Sequence, residues 1–229
     1  MIKGLNISGW QKTSFIDFPA AISSVLFLSG CNLRCPYCHN PGIVLGLFEP
    51  IPIEEILKHL VKRKGIIEGV VISGGEPTLH LGLKNLCEEL RGLGVRVKID
   101  TNGLEPEAIA ECAPDYLALD IKTSLGKYSR LKTAYADCTD RLRRSIDIAK
   151  AMGKDAEVRI TAVPGVVAGD DIDDLCIEQS GIDKVFIQQF DPSKPMLDPT
   201  YSSVTPYTPQ ELESWRAKFL DAGIECRIR

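Results

Sequence analysis

The chain has 229 residues, 44% of them hydrophobic, and 27 Lys and Arg against 31 Asp and Glu give a net charge of -4. That is enough to bury a sizeable core as one α/β domain, while the negative balance leaves no electrostatic footprint for nucleic acid. No window approaches the roughly 18 consecutive apolar residues of a membrane span, and the N-terminus has no basic n-region, so a cytoplasmic protein without a membrane partner is expected.

Short apolar runs alternate with amphipathic stretches, the pattern of βα units. Strands are predicted over Ile22–Leu28, Val70–Ser73, Val95–Asp100, Tyr116–Ile121, Glu157–Ala162 and Lys184–Gln188. Helices are predicted near Ile53–Arg63, Leu83–Leu93, Pro106–Cys112, Asp140–Met152, Asp171–Gln179 and Pro209–Ala222. Right-handed crossovers over six successive units place the helices outside and curl the sheet into a partial, open (β/α)6 barrel. A single domain is expected over residues 1–229. The most irregular stretch, Asp191–Thr208, is rich in Pro, Ser and Thr and is expected to form a flap.

After the first predicted strand comes Gly30-Cys31-Asn32-Leu33-Arg34-Cys35-Pro36-Tyr37-Cys38-His39-Asn40-Pro41. A cubane iron-sulfur cluster normally takes one thiolate on each of its four irons; a loop supplying three leaves one iron open to a ligand. Structural zinc wants four tetrahedral ligands, and the alternative fourth ligand, His39, is adjacent to Cys38, so zinc and an ordinary loop are the weaker readings. Cys87, Cys112, Cys138, Cys176 and Cys226 are scattered without ligand spacing and are expected to be buried, reduced thiols. In a barrel of this kind chemistry gathers at the C-terminal strand ends. There stand Gly74-Gly75-Glu76-Pro77 after the second strand, Asp100-Thr101-Asn102-Gly103 after the third, Asp120-Ile121-Lys122 after the fourth, Arg159 and Thr161 on the fifth and Gln188-Gln189 ending the sixth. Each has a plain alternative: a turn for the glycines, a helix cap for Asp100, a local pair for Asp120 with Lys122, a surface cation for Arg159.

The Cys-x3-Cys-x2-Cys spacing with Tyr37 before the last cysteine, joined to Gly74-Gly75-Glu76-Pro77, resembles the radical S-adenosylmethionine superfamily. The run Thr13-Ser14-Phe15-Ile16-Asp17-Phe18-Pro19, Cys38-His39-Asn40-Pro41, Asp100-Thr101-Asn102-Gly103, Leu119-Asp120-Ile121-Lys122 and Val163-Pro164-Gly165 narrow the resemblance to the glycyl-radical-enzyme activating enzymes. Within that group the chain is most similar to activators of anaerobic ribonucleoside-triphosphate reductase. Between Cys38 and Ile53 there is no room for the cysteine-rich insertion of some relatives, so the minimal form is expected. The resemblance implies a [4Fe-4S] cluster on Cys31, Cys35 and Cys38, whose open iron chelates the methionine end of S-adenosylmethionine. Reductive cleavage then gives a 5'-deoxyadenosyl radical that takes hydrogen from a glycine of the partner enzyme. It implies roles for Gly74, Gly75 and Glu76 at the methionine amino group and for Lys122 and Arg159 at its carboxylate or the ribose. Tyr37 would approach the adenine by its backbone. Asp100, Thr101 and Asp120 match a monovalent cation site (Na+ or K+) beside the methionine carboxylate. Hard cations prefer such oxygens. A low-potential donor such as flavodoxin or ferredoxin is implied as a second partner. The alternatives are an activator of the pyruvate formate-lyase type and a small-molecule radical enzyme like the 7-carboxy-7-deazaguanine synthases. Where relatives carry a histidine near the adenine this chain has Gln189-Phe190-Asp191-Pro192, with Phe190 read either as a stacking ring or as core.

Overall fold

The computed structural model describes every residue except Met1, Lys3 and Ala134. Eight strands pair in chain order: β1 (Ile7–Phe18), β2 (Ala21–Leu28), β3 (Gly69–Gly74), β4 (Arg96–Thr101), β5 (Tyr116–Asp120), β6 (Ala156–Ala162), β7 (Lys184–Gln189) and β8 (Glu225–Ile228). β1 is antiparallel to β2, whereas β2 with β3, β3 with β4, β6 with β7 and β7 with β8 are parallel. The class is therefore α/β with a mostly parallel sheet. The helices are α1 (Pro41–Val44), α2 (Ile53–Lys62), α3 (Leu83–Gly92), α4 (Pro106–Cys112), α5 (Cys138–Met152), α6 (Asp171–Glu178) and α7 (Pro209–Asp221).

The six predicted strands correspond to β2 through β7, each within one or two residues, and α2 through α7 match the six predicted helices as closely. Two strands lie outside the prediction. β1 extends the sheet at one edge, its register broken between Ile7 and Gly9, Gln11 and Ser14, and Ser14 and Phe18. Those breaks interrupt the period-2 alternation by which a strand is recognised. β8 has only four residues.

The chain forms two compact units. One comprises the N-terminal segment ending at Asn32, Gly42–Thr101 and Glu107–Leu117. Its core packs Phe18, Val25, Val71 and Tyr116 together. Val70, Val71 and Ile72 of β3 are all fully buried, as expected of a parallel strand covered on both faces. α3 buries Leu83, Leu86, Cys87 and Leu90, the stripe of an amphipathic helix. The other unit comprises Leu33–Pro41, Asn102–Pro106 and Ala118–Arg229. There α7 buries Leu212, Trp215 and Phe219 and starts with a capping box, the Thr208 hydroxyl accepting from the Glu211 N–H and the Glu211 carboxylate from the Thr208 N–H;. Among the described residues no helix is long and apolar enough to cross a membrane.

The predicted flap is tied down. Leu197 N–H donates to the Cys38 carbonyl at 3.1 Å and Asp198 N–H to that of Pro36 at 2.8 Å. Asp198 then caps a 3-10 turn over Pro199–Ser203.

Candidate functional site

In the first unit the ends of β2 and β3 are packed backbone to backbone. Gly75 N–H donates to Leu28 O at 2.9 Å and Glu76 N–H to Gly30 O at 2.8 Å. A Cβ on Gly75 would lie 1.8 Å from the Gly30 oxygen, and one on Gly74, whose φ is +124°, 2.3 Å from the Leu28 backbone. The paired glycines thus have a structural duty: they let β3 end directly against the residue preceding Cys31. Gly30 itself turns with φ +84°, and its N–H is held by the Ile43 carbonyl at 2.9 Å. His80 Nε2 meets the Ser29 carbonyl at 2.9 Å, another tie on the same strand end.

Glu76 is fully buried. Three donors converge on its Oε1: Thr78 N–H at 3.1 Å, Thr78 Oγ1 at 2.5 Å and Thr101 Oγ1 at 2.7 Å. The carboxylate is held in one orientation by hydroxyls from β4 and from the turn that follows it. One residue before Thr101, Asp100 pairs with Lys98 Nζ at 2.8 Å. Asp100 does not cap α4, which begins at Pro106.

The second unit carries Cys35, Tyr37 and Cys38. Cys38 N–H donates to Cys35 O at 3.1 Å, closing a turn, and Arg34 N–H donates to Leu131 O at 3.3 Å. Cys35 and Tyr37 are buried; burial raises the Cys35 thiol, partly offset by the nearby Lys122 ammonium, and raises the Tyr37 phenol further. His39 meets the Asp191 carbonyl at 3.1 Å and stacks on Phe190 at 6.3 Å. Phe190 is itself buried, the core alternative.

Asp120, at the end of β5, is the hub of this half. Arg159 Nε donates to its Oδ1 at 2.7 Å and Lys122 Nζ sits 3.1 Å from Oδ2. Burial on its own would raise the Asp120 carboxyl, but the two cations outweigh it and hold it well below the usual carboxylate range. Lys122 is raised in turn, burial being outweighed by Asp120 and Cys35. Arg159 is accordingly no surface cation, its side chain only 13% exposed. Tyr128, which sequence reasoning missed, accepts the Lys122 N–H on its phenol oxygen at 2.9 Å. No local spacing signals it, since it comes from a 3-10 turn over Leu125–Leu131.

None of Cys31, Cys35 and Cys38 is in a disulfide. Three soft thiolates within eight residues suit an iron-sulfur cluster. Among the described residues no three His, Cys, Asp or Glu side chains are grouped as around a single ion; a cubane instead takes one thiolate per iron.

The Radical SAM superfamily description matches residues 25–176. A Methanocaldococcus jannaschii protein provisionally named a glycyl-radical enzyme activating enzyme is 36% identical over 194 residues, covering 81% of this chain and 80% of that one. A Hyperthermus butylicus 7-carboxy-7-deazaguanine synthase is 38% identical over 39% of this chain and 38% of its own. The pyruvate formate-lyase-activating enzyme of Staphylococcus epidermidis is 36% identical over 44% of this chain and 43% of its own. Among solved structures, a radical SAM methyltransferase of Sphaerobacter thermophilus shares the fold, with a TM-score of 0.57 at 15% identity over 95% of this chain and 68% of that one. The extent of the superfamily match and the relative aligned over four-fifths of both chains place this enzyme in the radical SAM superfamily, and within it the chain belongs to the glycyl-radical-enzyme activating enzymes.

Proposed function

We propose that this enzyme installs the glycyl radical of an anaerobic ribonucleoside-triphosphate reductase, with Cys31, Cys35 and Cys38 as the ligands of its [4Fe-4S] cluster. The observation that carries the ligand assignment is the abutment of Gly75 and Glu76 on Gly30, which sets a strand end with a fixed carboxylate beside the start of the cysteine loop. Cys31, Cys35 and Cys38 would hold the cluster, which would supply the one-electron reduction of S-adenosylmethionine that makes hydrogen abstraction from the partner's glycine possible.

The chain's own residues bind and orient. Gly74, Gly75 and Glu76 receive the methionine amino group, Glu76 already immobilised by Thr78 and Thr101. Lys122 and Arg159 offer positive charge to the methionine carboxylate or the ribose, and Asp120 holds both in place. Tyr37 contributes its backbone at the adenine. A monovalent cation on Asp100, Thr101 and Asp120 belongs to the same proposal; since Asp100 already neutralises Lys98 and Asp120 neutralises Lys122 and Arg159, its entry requires these pairs to rearrange. Asp120→Ala is then expected to lose activity together with any dependence on potassium or sodium, and unchanged activity and dependence would remove the cation from the scheme. A flavodoxin or ferredoxin supplies the electron.

The test is anaerobic electron paramagnetic resonance on reduced, reconstituted protein mixed with S-adenosylmethionine and the candidate reductase. A glycyl doublet that disappears with Cys35→Ala is the expected result. 5'-Deoxyadenosine accumulating without a doublet would move the partner to another glycyl radical enzyme, of the pyruvate formate-lyase type, or to a small molecule. The partial likeness to the deazaguanine synthase makes a purine-like compound the first to try.

A further inference from the structure

In the second unit the cysteine loop is held against a basic turn. The N–H of Arg34, the residue preceding Cys35, donates to the Leu131 carbonyl at 3.3 Å, and Leu131 is the last residue of the 3-10 turn Leu125–Leu131. The Leu131 side chain is buried, whereas Arg34, Arg130 and Lys132 are all exposed. Three cations thus lie within one residue of a single backbone contact on the loop. Neither Arg130 nor Lys132 forms an ion pair among the described residues, in contrast to Lys127 of the same turn, which is paired with Asp170 and Asp171. Asp198 offsets part of the charge. Its N–H donates to Pro36 O at 2.8 Å, and its carboxylate accepts Thr200 Oγ1 at 2.7 Å and Thr200 N–H at 3.0 Å, bonds that lower its pKa, with Lys132 adding to them. The face stays positive on a chain whose net charge is -4.

We propose that Arg34, Arg130 and Lys132 form the docking face for an acidic one-electron carrier protein, which delivers its electron across the Cys35 side of the loop. The inference rests on the cluster function proposed above and assigns the surface through which that cluster is reduced.

Three observations choose this occupant. Cys35 is buried, so a donor protein cannot touch it and must come up against the chain that wraps it. Electron transfer needs only that approach, whereas a glycine that gives up a hydrogen atom must itself enter the site. The turn turns its apolar side chain inward and shows Ser129, Arg130 and Lys132 to solvent, a polar surface suited to the small, weak contact of an electron-transfer encounter. A carrier must also leave after each delivery, and complementary charge serves this by speeding association more than it prolongs the complex. A positive face beside the loop therefore selects a negative partner. In the step itself the carrier loses one electron and the cluster gains it; no bond forms or breaks and no proton moves.

The test compares the cluster-loaded, oxidised wild type with the double variant Arg130→Glu, Lys132→Glu under anaerobic conditions. Both side chains are exposed, and the Arg34–Leu131 bond is made by backbone atoms, so the exchange leaves the loop in place. Loss of the cluster's visible absorbance is followed by stopped flow with two reductants, a reduced acidic flavodoxin and photoreduced 5-deazariboflavin, which is small and uncharged. At low salt flavodoxin should reduce the variant at least about tenfold more slowly than the wild type, and the difference should shrink towards 1 M salt, where the Debye length falls to about 3 Å. Deazariboflavin should reduce both proteins at one rate. Titration calorimetry with oxidised flavodoxin should show weaker association with the variant at low salt. Equal rates with flavodoxin at low salt, or an equal slowing with both reductants, would overturn the docking face while leaving the cluster function intact. So would unchanged reduction by flavodoxin joined to a weaker glycyl doublet, which would give the face to the reductase. A wild-type protein that neither reductant can reduce would instead remove the proposed cluster function, and this face with it.

Discussion

A methyl group on Gly75 has nowhere to go, because the atom it would meet is a backbone oxygen rather than the end of a flexible side chain. Gly75→Ala must push the ends of β2 and β3 apart, and overpacking of this kind costs about 1–3 kcal/mol. The expected outcome is a lowered melting temperature together with lost iron content after reconstitution, since Gly30 immediately precedes Cys31. Gly92 supplies the comparison: it ends α3, and a Cβ there meets nothing within 4 Å. Gly92→Ala should be neutral or stabilising by up to about 1 kcal/mol. Equal losses from the two substitutions would show that the Gly75 contact is not what the glycine is for. From the sequence the Gly74-Gly75 pair could be read as a turn or as a place for a ligand. Its use for close approach of two strand ends was not legible, because that depends on which backbone lies opposite.

Secondary elements were legible where one face is buried over its whole length. α3 shows Leu83, Leu86, Cys87 and Leu90 at helical spacing, and β3 is an unbroken apolar run. β1 was not, since its burial follows an irregular register and most of its residues are exposed or half-buried. Packing between elements was hidden in the same way, and Glu178 at the end of α6 is the instructive case. Its Oε1 accepts the Leu125 N–H at 2.9 Å, while Oε2 is buried without a hydrogen-bond partner among the described residues. Burial outweighs the Leu125 hydrogen bond, with Asp174 adding to it, and pushes the carboxyl up to about 6. The folded state therefore binds this proton more tightly than the unfolded chain, whose Glu pKa is about 4.3. The stabilisation is complete below that value and is lost as pH rises through about 6;. Glu178→Gln keeps an acceptor for Leu125 and has no charge to bury. The variant should match the wild type near pH 4 and exceed it by about 2 kcal/mol above pH 7. Urea unfolding at several pH values measures this, and a constant difference across pH would show that ionisation of Glu178 is not the cause.

For the molecule as a whole, the strand sequence was readable because each strand pairs with the next in chain order, so the local alternation of apolar runs and amphipathic helices already contains the topology. What chain order cannot supply is the partner of each polar side chain. Thr101 finds Glu76 25 positions away and Arg159 finds Asp120 39 away. The local reading of Asp120 with Lys122 therefore captured half of its environment. Asp171 makes another of these distant connections, in the second unit, and was read only as the start of a helix. It is 1% exposed, accepts Ser124 Oγ at 2.8 Å over a separation of 47 residues and Ala168 N–H at 2.8 Å, and forms an ion pair with Lys127. It joins the segment that follows β5 to the start of α6. Burial opposes ionisation of this carboxyl, but Lys127 and the hydrogen bonds prevail and lower it. Its contribution is thus fully present above the unfolded Asp value of about 3.9 and is lost as pH falls through the lower folded value. Asp171→Asn keeps the shape but gives up the charge that meets Lys127, and one Asn oxygen cannot replace both carboxylate acceptors. A loss of about 1–3 kcal/mol at pH 7 is expected, shrinking as the pH is taken below 4. If the loss instead persists undiminished in acid, Asp171 holds the segment by shape and hydrogen bonding alone, and Lys127 is a bystander.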